Sequence, residues 1–343
     1  MGTESALLGQ KVTYTDNQAI QSALSGGGSQ SGGGVGGAAG SGAASPHTMV
    51  GSANGLQFDL IWDPSVANAP AGFKADVIHT AQLYSSLYSG TKEAVAIDVG
   101  WGEVGGFTLG SGDLGESLTN GYLTDYPTVT GALGAQGFTF NASNEPVDGA
   151  FFVPSAQAKA WGLVNPYDTS SPDGAIGFGT LAGTGYSWNM RSSLTGAGSG
   201  TGSNQVDLQT AIQHEMSEVM GRIGIEGQDP FGIGMPTYTT LDLFNFISPG
   251  TLELSGNGGY FSLNDGQTAL GTFNNASLYG GDIADWASRS SIADSNTLGL
   301  PPGDQDSYDA FGRAGINGAL SASDVLVDRS LGYSFTPVSH LIA

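Results

Sequence analysis

The chain contains no cysteine among its 343 residues. Without thiols, no disulfide can hold the fold together, and neither a thiolate zinc site nor a cysteine nucleophile can form. Any metal bound by the protein must therefore be held by histidine, aspartate or glutamate side chains.

Positive charge is also scarce, with 9 Lys+Arg against 31 Asp+Glu and a formal net charge of -22 that is spread over the whole length. Nucleic acid and anionic membranes would be repelled, so we expect neither as a partner. The combination of 57 glycines and few lysines resembles bacterial proteins that are exported unfolded and fold outside the cell, where calcium is available. This composition predicts a secreted, extracellular protein, with the export route left open.

Long hydrophobic runs are missing as well. The first ten residues lack both the basic start and the run of ~7–15 apolar residues that a signal peptide needs, and no stretch reaches ~18 apolar residues. We therefore expect a soluble protein without membrane insertion. An export signal would either have been removed or lie at the C-terminus.

The length fits one large domain or a catalytic domain with attachments. We predict an N-terminal segment at 1–24, a flexible Gly/Ser-rich linker at 25–54, an upper subdomain at 55–224 and a C-terminal subdomain at 225–343. The linker is predicted to be flexible because its composition cannot bury enough apolar surface to offset the entropy lost on ordering. Within the first segment, residues 12–15 and 18–24 could pair as a strand or form a short helix.

Hydrophobic periodicity predicts the order of the main elements. Alternation indicates a strand at 56–62, and apolar residues at helical spacing indicate a helix at 71–89. The remaining predictions are a strand at 94–99, a polar helix or loop at 115–133, an edge or substrate-lining strand at 173–179, a helix at 206–222, short strands at 241–246, 260–263 and 269–273, and a last helix at 325–331 after a capping signal at Ser321.

The helix at 206–222 carries His214, Glu215 and Glu218. Residues four apart share one helical face, so His214 and Glu218 can hold one metal ion while Glu215 reaches a water on it. A carboxylate is an acceptable zinc ligand at ~2.0–2.2 Å. The alternative is a surface helix on which Glu218 pairs with Arg222 one turn later.

This pattern resembles the zincin metalloproteases, nearest the metzincin branch and a group of uncharacterised secreted bacterial metalloprotease-like proteins, with H-E-x-x-E in place of H-E-x-x-H. The likeness runs from about residue 55 to 333 and is carried by 99–104, 214–222, 241–244, 281–286 and the ending at 323–333. It implies an α+β, zincin-like domain with a small mixed sheet, an active-site helix and an irregular glycine-rich C-terminal subdomain.

The resemblance also implies roles for individual residues. The metzincin position of the third ligand falls on Gly224, which has no side chain, so we expect Asp242 in that role, with Glu226 in reserve. Glu215 would be the general base of a zinc endopeptidase acting on a protein or peptide, and Tyr238 an oxyanion donor, or otherwise a packed aromatic. The competing functions are a catalytically silent extracellular surface or matrix protein and autoprocessing near the linker. Self-association is left open.

Two aspartate clusters offer oxygen ligands for calcium as an alternative or additional ion. Asp282 and Asp285 form the first, and Asp304, Asp306 and Asp309 the second. Glycine-aspartate turns have the same sequence without any ion, and we favour turns. Trp286 beside the first cluster is predicted to anchor the core of the C-terminal subdomain.

Overall fold

The centre of the fold is an eight-stranded mixed sheet, seen in a computed structural model that describes residues 8–26, 46–140, 146, 149–191, 202–288, 297–300 and 304–335. The predicted α+β class with a mixed sheet is confirmed. Most of the predicted linker falls outside the described residues.

The elements are as follows. The strands are β1 (Lys11–Tyr14), β2 (His47–Gly51), β3 (Leu56–Trp62), β4 (Glu93–Trp101), β5 (Glu103–Val104), β6 (Phe107–Thr108), β7 (Gly115–Thr124), β8 (Ala150–Pro154), β9 (Gly174–Phe178), β10 (Ser187–Asn189), β11 (Gln205–Asp207), β12 (Thr237–Thr239), β13 (Asn245–Ser248), β14 (Thr251–Leu252), β15 (Tyr260–Phe261), β16 (Gly271–Thr272), β17 (Gln305–Asp306) and β18 (Gly318–Ala319). The helices are α1 (Gln18–Gly26), α2 (Phe73–Leu87), α3 (Tyr126–Ala135), α4 (Ser155–Ala160), α5 (Leu208–Met220), α6 (Ala276–Tyr279) and α7 (Ala322–Leu331), with short 3-10 turns at Pro64–Asn68 and Leu241–Phe244.

The main sheet has the order β12-β8-β7-β9-β4-β3-β2, with β1 added to β7. Strands β3, β4 and β9 are parallel, β12 is parallel to β8, and β2 and β7 run antiparallel to their neighbours. Every residue of β4 is buried, as expected for a central strand covered on both faces. Among the described residues, four small ladders lie outside this sheet, and two of them, β13 to β16 and β17–β18, belong to the C-terminal part.

The helix predicted at 71–89 is confirmed as α2. Its apolar residues at helical spacing, from Phe73 to Tyr84, are at most 1 % exposed and face the core. Helix α5 begins where the Asp207 carboxylate accepts the backbone N–H of Thr210, and it ends at Gly221, whose φ of 122° is strained for any residue with a side chain. The capping box predicted at Ser321 is present at the start of α7.

Four element predictions are wrong in type or in place. The strand at 173–179 is β9, which lies inside the sheet between β4 and β7 instead of at an edge. The first part of the polar stretch at 115–133 is strand β7, and a helix starts only at Tyr126. Within the predicted linker, 47–51 forms strand β2 and pairs with β3. At 241–246 a 3-10 turn precedes β13.

None of the helices in the described ranges is long and apolar enough to cross a bilayer.

Candidate metal centre

Helix α5 presents His214 and Glu218 on one face, as their spacing predicts. The His214 side chain is 15 % exposed and the Glu218 side chain 11 %. Most of the other residues of the helix are buried, so α5 runs through the core and holds these two side chains in fixed positions.

Two aspartates complete the site. One ligand atom from each of His214, Glu218, Asp282 and Asp285 lies within 4.8 Å of the other three. Among the described residues, this is the one set of three or more histidines and acids close enough to share a metal ion. The buried His/Glu/Asp group could therefore hold a cation, with one imidazole nitrogen and three carboxylates as ligands.

The turn that carries the two aspartates is fixed by hydrogen bonds and by a buried tryptophan. Asn274 donates its side-chain amide to the Asp282 carbonyl (3.0 Å) and its backbone N–H to the Asp285 carbonyl (2.8 Å). The next residue, Trp286, is 1 % exposed and donates its indole N–H to Asp324 (2.7 Å), so the prediction that it anchors the core is confirmed.

The orientation of His214 favours a cation. Its Nδ1 lies 3.0 Å from the carbonyl oxygen of Ser307 and must donate to it, which makes Nε2 the nitrogen that faces the acids. Nε2 is 3.4 Å from Asp285 Oδ1 and 3.7 Å from Glu218 Oε1. If Nε2 carried neither a proton nor a metal ion, its lone pair would point at these oxygens and repel them. The geometry therefore requires a proton or a metal ion between Nε2 and the acids. Metal-binding histidines show the same outer hydrogen bond to a carbonyl.

The electrostatics of the group also fit a cation. Burial, together with the neighbouring acids, raises the pKa of Glu218 to about 8 and that of Asp285 to about 6, and holds the pKa of Asp282 well above its ordinary value. Burial lowers the pKa of His214, but Asp285 and Glu218 outweigh it, and the net shift is upward. The negative charges of three closely spaced carboxylates repel one another, and a bound divalent ion would offset this repulsion.

Glu215 lies beside the group. It is 6 % exposed and its carboxyl hydrogen-bonds Glu218; burial first, then the charges of Glu218 and Glu116, raises its pKa well above the ordinary range. A Cβ at Gly115 would lie 2.3 Å from Glu215 Oε1, so only glycine leaves room for this carboxyl against β7.

The expectation that Asp242 is the third ligand does not match its position. Asp242 is outside the ligand group, and its carboxylate accepts the backbone N–H groups of Thr239 (2.8 Å), Glu226 (3.0 Å) and Ile225 (3.4 Å). Its acceptor capacity is used to fix a turn. Glu226, the reserve, is also outside the group and accepts from the Asn245 amide at 2.6 Å.

Tyr238 and Arg222, two further residues considered for the site, make packing and ion-pair contacts elsewhere. Tyr238 lies in β12 with its ring packed against Phe151 at 5.8 Å between centroids, as a packed aromatic would. Arg222 does not pair with Glu218; it is 1 % exposed, its Nη1 is 2.7 Å from Asp324 Oδ1, and its guanidinium stacks between Tyr308 and Trp286.

In the second aspartate cluster, Asp306 and Asp309 flank the turn at 307–308 and accept backbone N–H groups. Asp306 accepts the backbone N–H of Tyr308 (2.9 Å), and Asp309 accepts that of Asp306 (3.2 Å). The preference for turns therefore fits these two residues, whereas the first cluster joins His214.

Sequence reasoning named Asp282 and Asp285 as a possible calcium cluster but did not connect them with His214. The i, i+3 spacing of Asp282 and Asp285 was a usable signal, since both carboxyls then lie on one side of a single turn. No local signal marks Ser307, because it contributes a backbone carbonyl to a helix 93 positions earlier.

No family model, no curated protein and no solved structure matches this chain.

Proposed function

We propose that this protein is a secreted metal-dependent endopeptidase of the zincin type. The observation that carries the proposal is the group of His214, Glu218, Asp282 and Asp285 with the Glu215 carboxyl beside it. Secretion rests on the acidic, glycine-rich, cysteine-free composition.

A divalent cation in this group would supply a Lewis acid for the substrate carbonyl and lower the pKa of water. The protein residues have separate tasks. His214 Nε2 and three carboxylates would hold the ion, and the Ser307 carbonyl keeps the His214 ring in the tautomer that this requires. Glu215, whose carboxyl lies beside the ligand group, would accept the proton from water and pass it to the leaving amine.

Zinc is the ion we propose, because imidazole and carboxylate groups are ligands that zinc takes. A site with four protein ligands is closed, so the endopeptidase function requires that one of the three carboxylates leaves its position to water. The three carboxylates bring the group closer to the oxygen-rich sets that calcium prefers, but calcium takes six to eight oxygen ligands. The two ions are distinguished by measuring which of them the purified protein retains.

A second function is favoured by one observation. Glu215 shares a hydrogen bond with Glu218 and its carboxyl is packed closely against Gly115, which suits a structural metal site in a silent extracellular protein. In that case the ion would stabilise the fold without taking part in a reaction.

Glu215→Gln separates the two functions. We expect the purified protein to cleave an unstructured protein substrate, and the variant to keep its metal while cleavage falls by roughly 10²–10⁴. Glu253→Gln is the matched control, because Glu253 is another buried acid that only fixes a turn through Ser255. Bound metal with no cleavage by the unaltered protein would favour the silent function.

A further inference from the structure

Lys159 and Asp173 form an ion pair inside the protein. Lys159 lies in the last turn of α4 and Asp173 directly before β9, and the lysine Nζ is 2.6 Å from the aspartate Oδ2. The two side chains are 5 % and 3 % exposed. The other buried pairs of an ammonium or guanidinium group with an acid among the described residues use arginine, at Arg191 and Arg222. Only the Lys159 pair therefore places a primary amine against a carboxyl group, out of reach of water.

Backbone groups of β4 hold both partners of this pair in place. Asp173 Oδ2 also accepts the backbone N–H of Ala96 (2.8 Å), and Oδ1 accepts the hydroxyl of Ser155 (2.8 Å). The Asp173 N–H donates to the Ala96 carbonyl (2.7 Å), while Lys159 Nζ donates to the Ala94 carbonyl (3.0 Å). An amine and an acyl carbon that are fixed side by side react as if at very high concentration.

A third buried side chain, Glu93, lies beside the pair at the start of β4. It is 0 % exposed, and neither of its carboxyl oxygens has a hydrogen-bond partner among the described residues. Burial first, and then the charge of Asp173, raise the pKa of Glu93 well above its ordinary value, although Lys159 opposes the shift. Glu93 therefore keeps its proton in the folded protein. A buried acid without partners is costly for the fold, which points to a role other than stability.

We propose that Lys159 and Asp173 become joined by an amide bond between Nζ and Cγ when the chain folds, with Glu93 as the proton relay. Transfer of a proton from Nζ to the carboxyl converts the ion pair into a neutral amine and a carboxylic acid, which are the forms that condense. Nζ then attacks Cγ, the bond from Cγ to Oδ1 breaks, and Oδ1 leaves as water.

The proton balance of this condensation closes within the three side chains. Glu93 gives its proton to the leaving hydroxyl and regains one from the nitrogen, so it ends unchanged. Oδ2 becomes the amide oxygen, and the Ala96 N–H that already donates to it stabilises the negative charge that develops there. One water is released, and neither a metal ion nor an oxidant is consumed.

The bond would give this cysteine-free chain a covalent cross-link. It ties α4 to the start of β9 and closes a loop between positions that are 14 apart in the chain. Such a closure stabilises a fold chiefly by restricting the unfolded chain, as a disulfide does. The proposal is independent of the metal centre and of the proposed function.

The test is the mass of the full chain, measured after denaturation and again after digestion with trypsin. We expect an intact mass below that of the sequence by one water. Trypsin needs a free ammonium group, so it should not cleave after an amide-bonded Lys159. The digest should then contain a single fragment of residues 93–191 that lacks one water, instead of the separate fragments 93–159 and 160–191.

Two variants with matched controls locate the reaction. Lys159→Arg keeps the positive charge but cannot condense, because a guanidinium stays protonated, so it should have the full sequence mass. Lys74→Arg, at an exposed lysine, should remain cross-linked. Glu93→Gln keeps the shape but cannot relay a proton, and the cross-linked fraction should fall by at least about tenfold. Glu253→Gln, at another buried acid, should remain cross-linked.

The full sequence mass in the unaltered protein, with complete cleavage after Lys159, would overturn the proposal. That measurement decides even if Lys159→Arg does not fold. Equal cross-linking in Glu93→Gln and the unaltered protein would overturn the role given to Glu93.

Discussion

His214 and Ser307 are joined by a hydrogen bond between Nδ1 and a backbone carbonyl, 3.0 Å long and 93 positions apart in the chain. The bond fixes the ring so that Nε2 faces Glu218 and Asp285. The ring of Tyr308 stacks on His214 at 5.5 Å between centroids, and its hydroxyl donates to the Gln213 carbonyl at 2.9 Å. The loop at 307–308 therefore acts as a support that orients the only histidine of the centre.

Substituting Asp285 and substituting Asp242, the two candidates for the third ligand, should have opposite effects on zinc binding and stability. Asp285→Asn removes a carboxylate from the ligand group and should weaken zinc binding by at least ~10-fold with little change in folding. Asp242→Asn should leave zinc affinity unchanged and lower the free energy of unfolding by ~1–3 kcal/mol, because three backbone N–H groups lose a charged acceptor. Isothermal titration and urea unfolding distinguish them, and the reverse pattern would restore Asp242 as a ligand.

Arg222 is predicted to be structural. Arg222→Met leaves Asp324 as a buried acid without its cation and should reduce the free energy of unfolding by about 3–5 kcal/mol. Arg329→Ala, on the exposed face of α7, is the control and should change it by less than ~0.5 kcal/mol. Denaturant unfolding measures both, and equal stabilities would contradict the role given to the Arg222–Asp324 pair.

Asp328 should make stability depend on pH. Burial, despite a hydrogen bond from Tyr88, raises its pKa to about 7 in the folded protein, above its value of ~3.9 in an unfolded chain. The stabilising effect of the proton is complete below pH ~4 and is lost as pH rises to about 7, by an amount on the order of 4 kcal/mol.

Asp328→Asn removes this titration while keeping an acceptor for Tyr88. Between pH 4 and 8 the variant should become progressively more stable relative to the unaltered protein, measured by thermal unfolding at a series of pH values. A constant difference between Asp328→Asn and the unaltered protein would contradict the expected pH dependence.

Local patterns predicted helix α2 and the His214 helix because both depend on periodicity and caps that lie within a few residues. Strand β7 could not be predicted in this way. Its buried residues include Glu116, Thr119 and Asn120, which look like a surface stretch in sequence and become interior only when β9, β8 and β1 surround the strand.

The metal centre also combines residues that local patterns predict with residues that they do not. His214 and Glu218 follow from helical spacing, whereas Asp282 and Asp285 come from a distant turn that is held by Asn274 and by packing of Trp286 against the buried Arg222. The resemblance to zincins implied Asp242 as the third ligand, and local spacing carries no information about which distant turn returns to the site.

The central claim is that His214 is the one imidazole of a four-ligand metal centre. Metal analysis of the purified protein after dialysis against zinc tests it most directly, with His214→Ala compared with His47→Ala, a histidine outside the centre that pairs with Asp59. We predict about one zinc per chain in the unaltered protein and in His47→Ala, and loss of most of it in His214→Ala. Equal zinc content in all three, or no zinc in the unaltered protein, would contradict the claim.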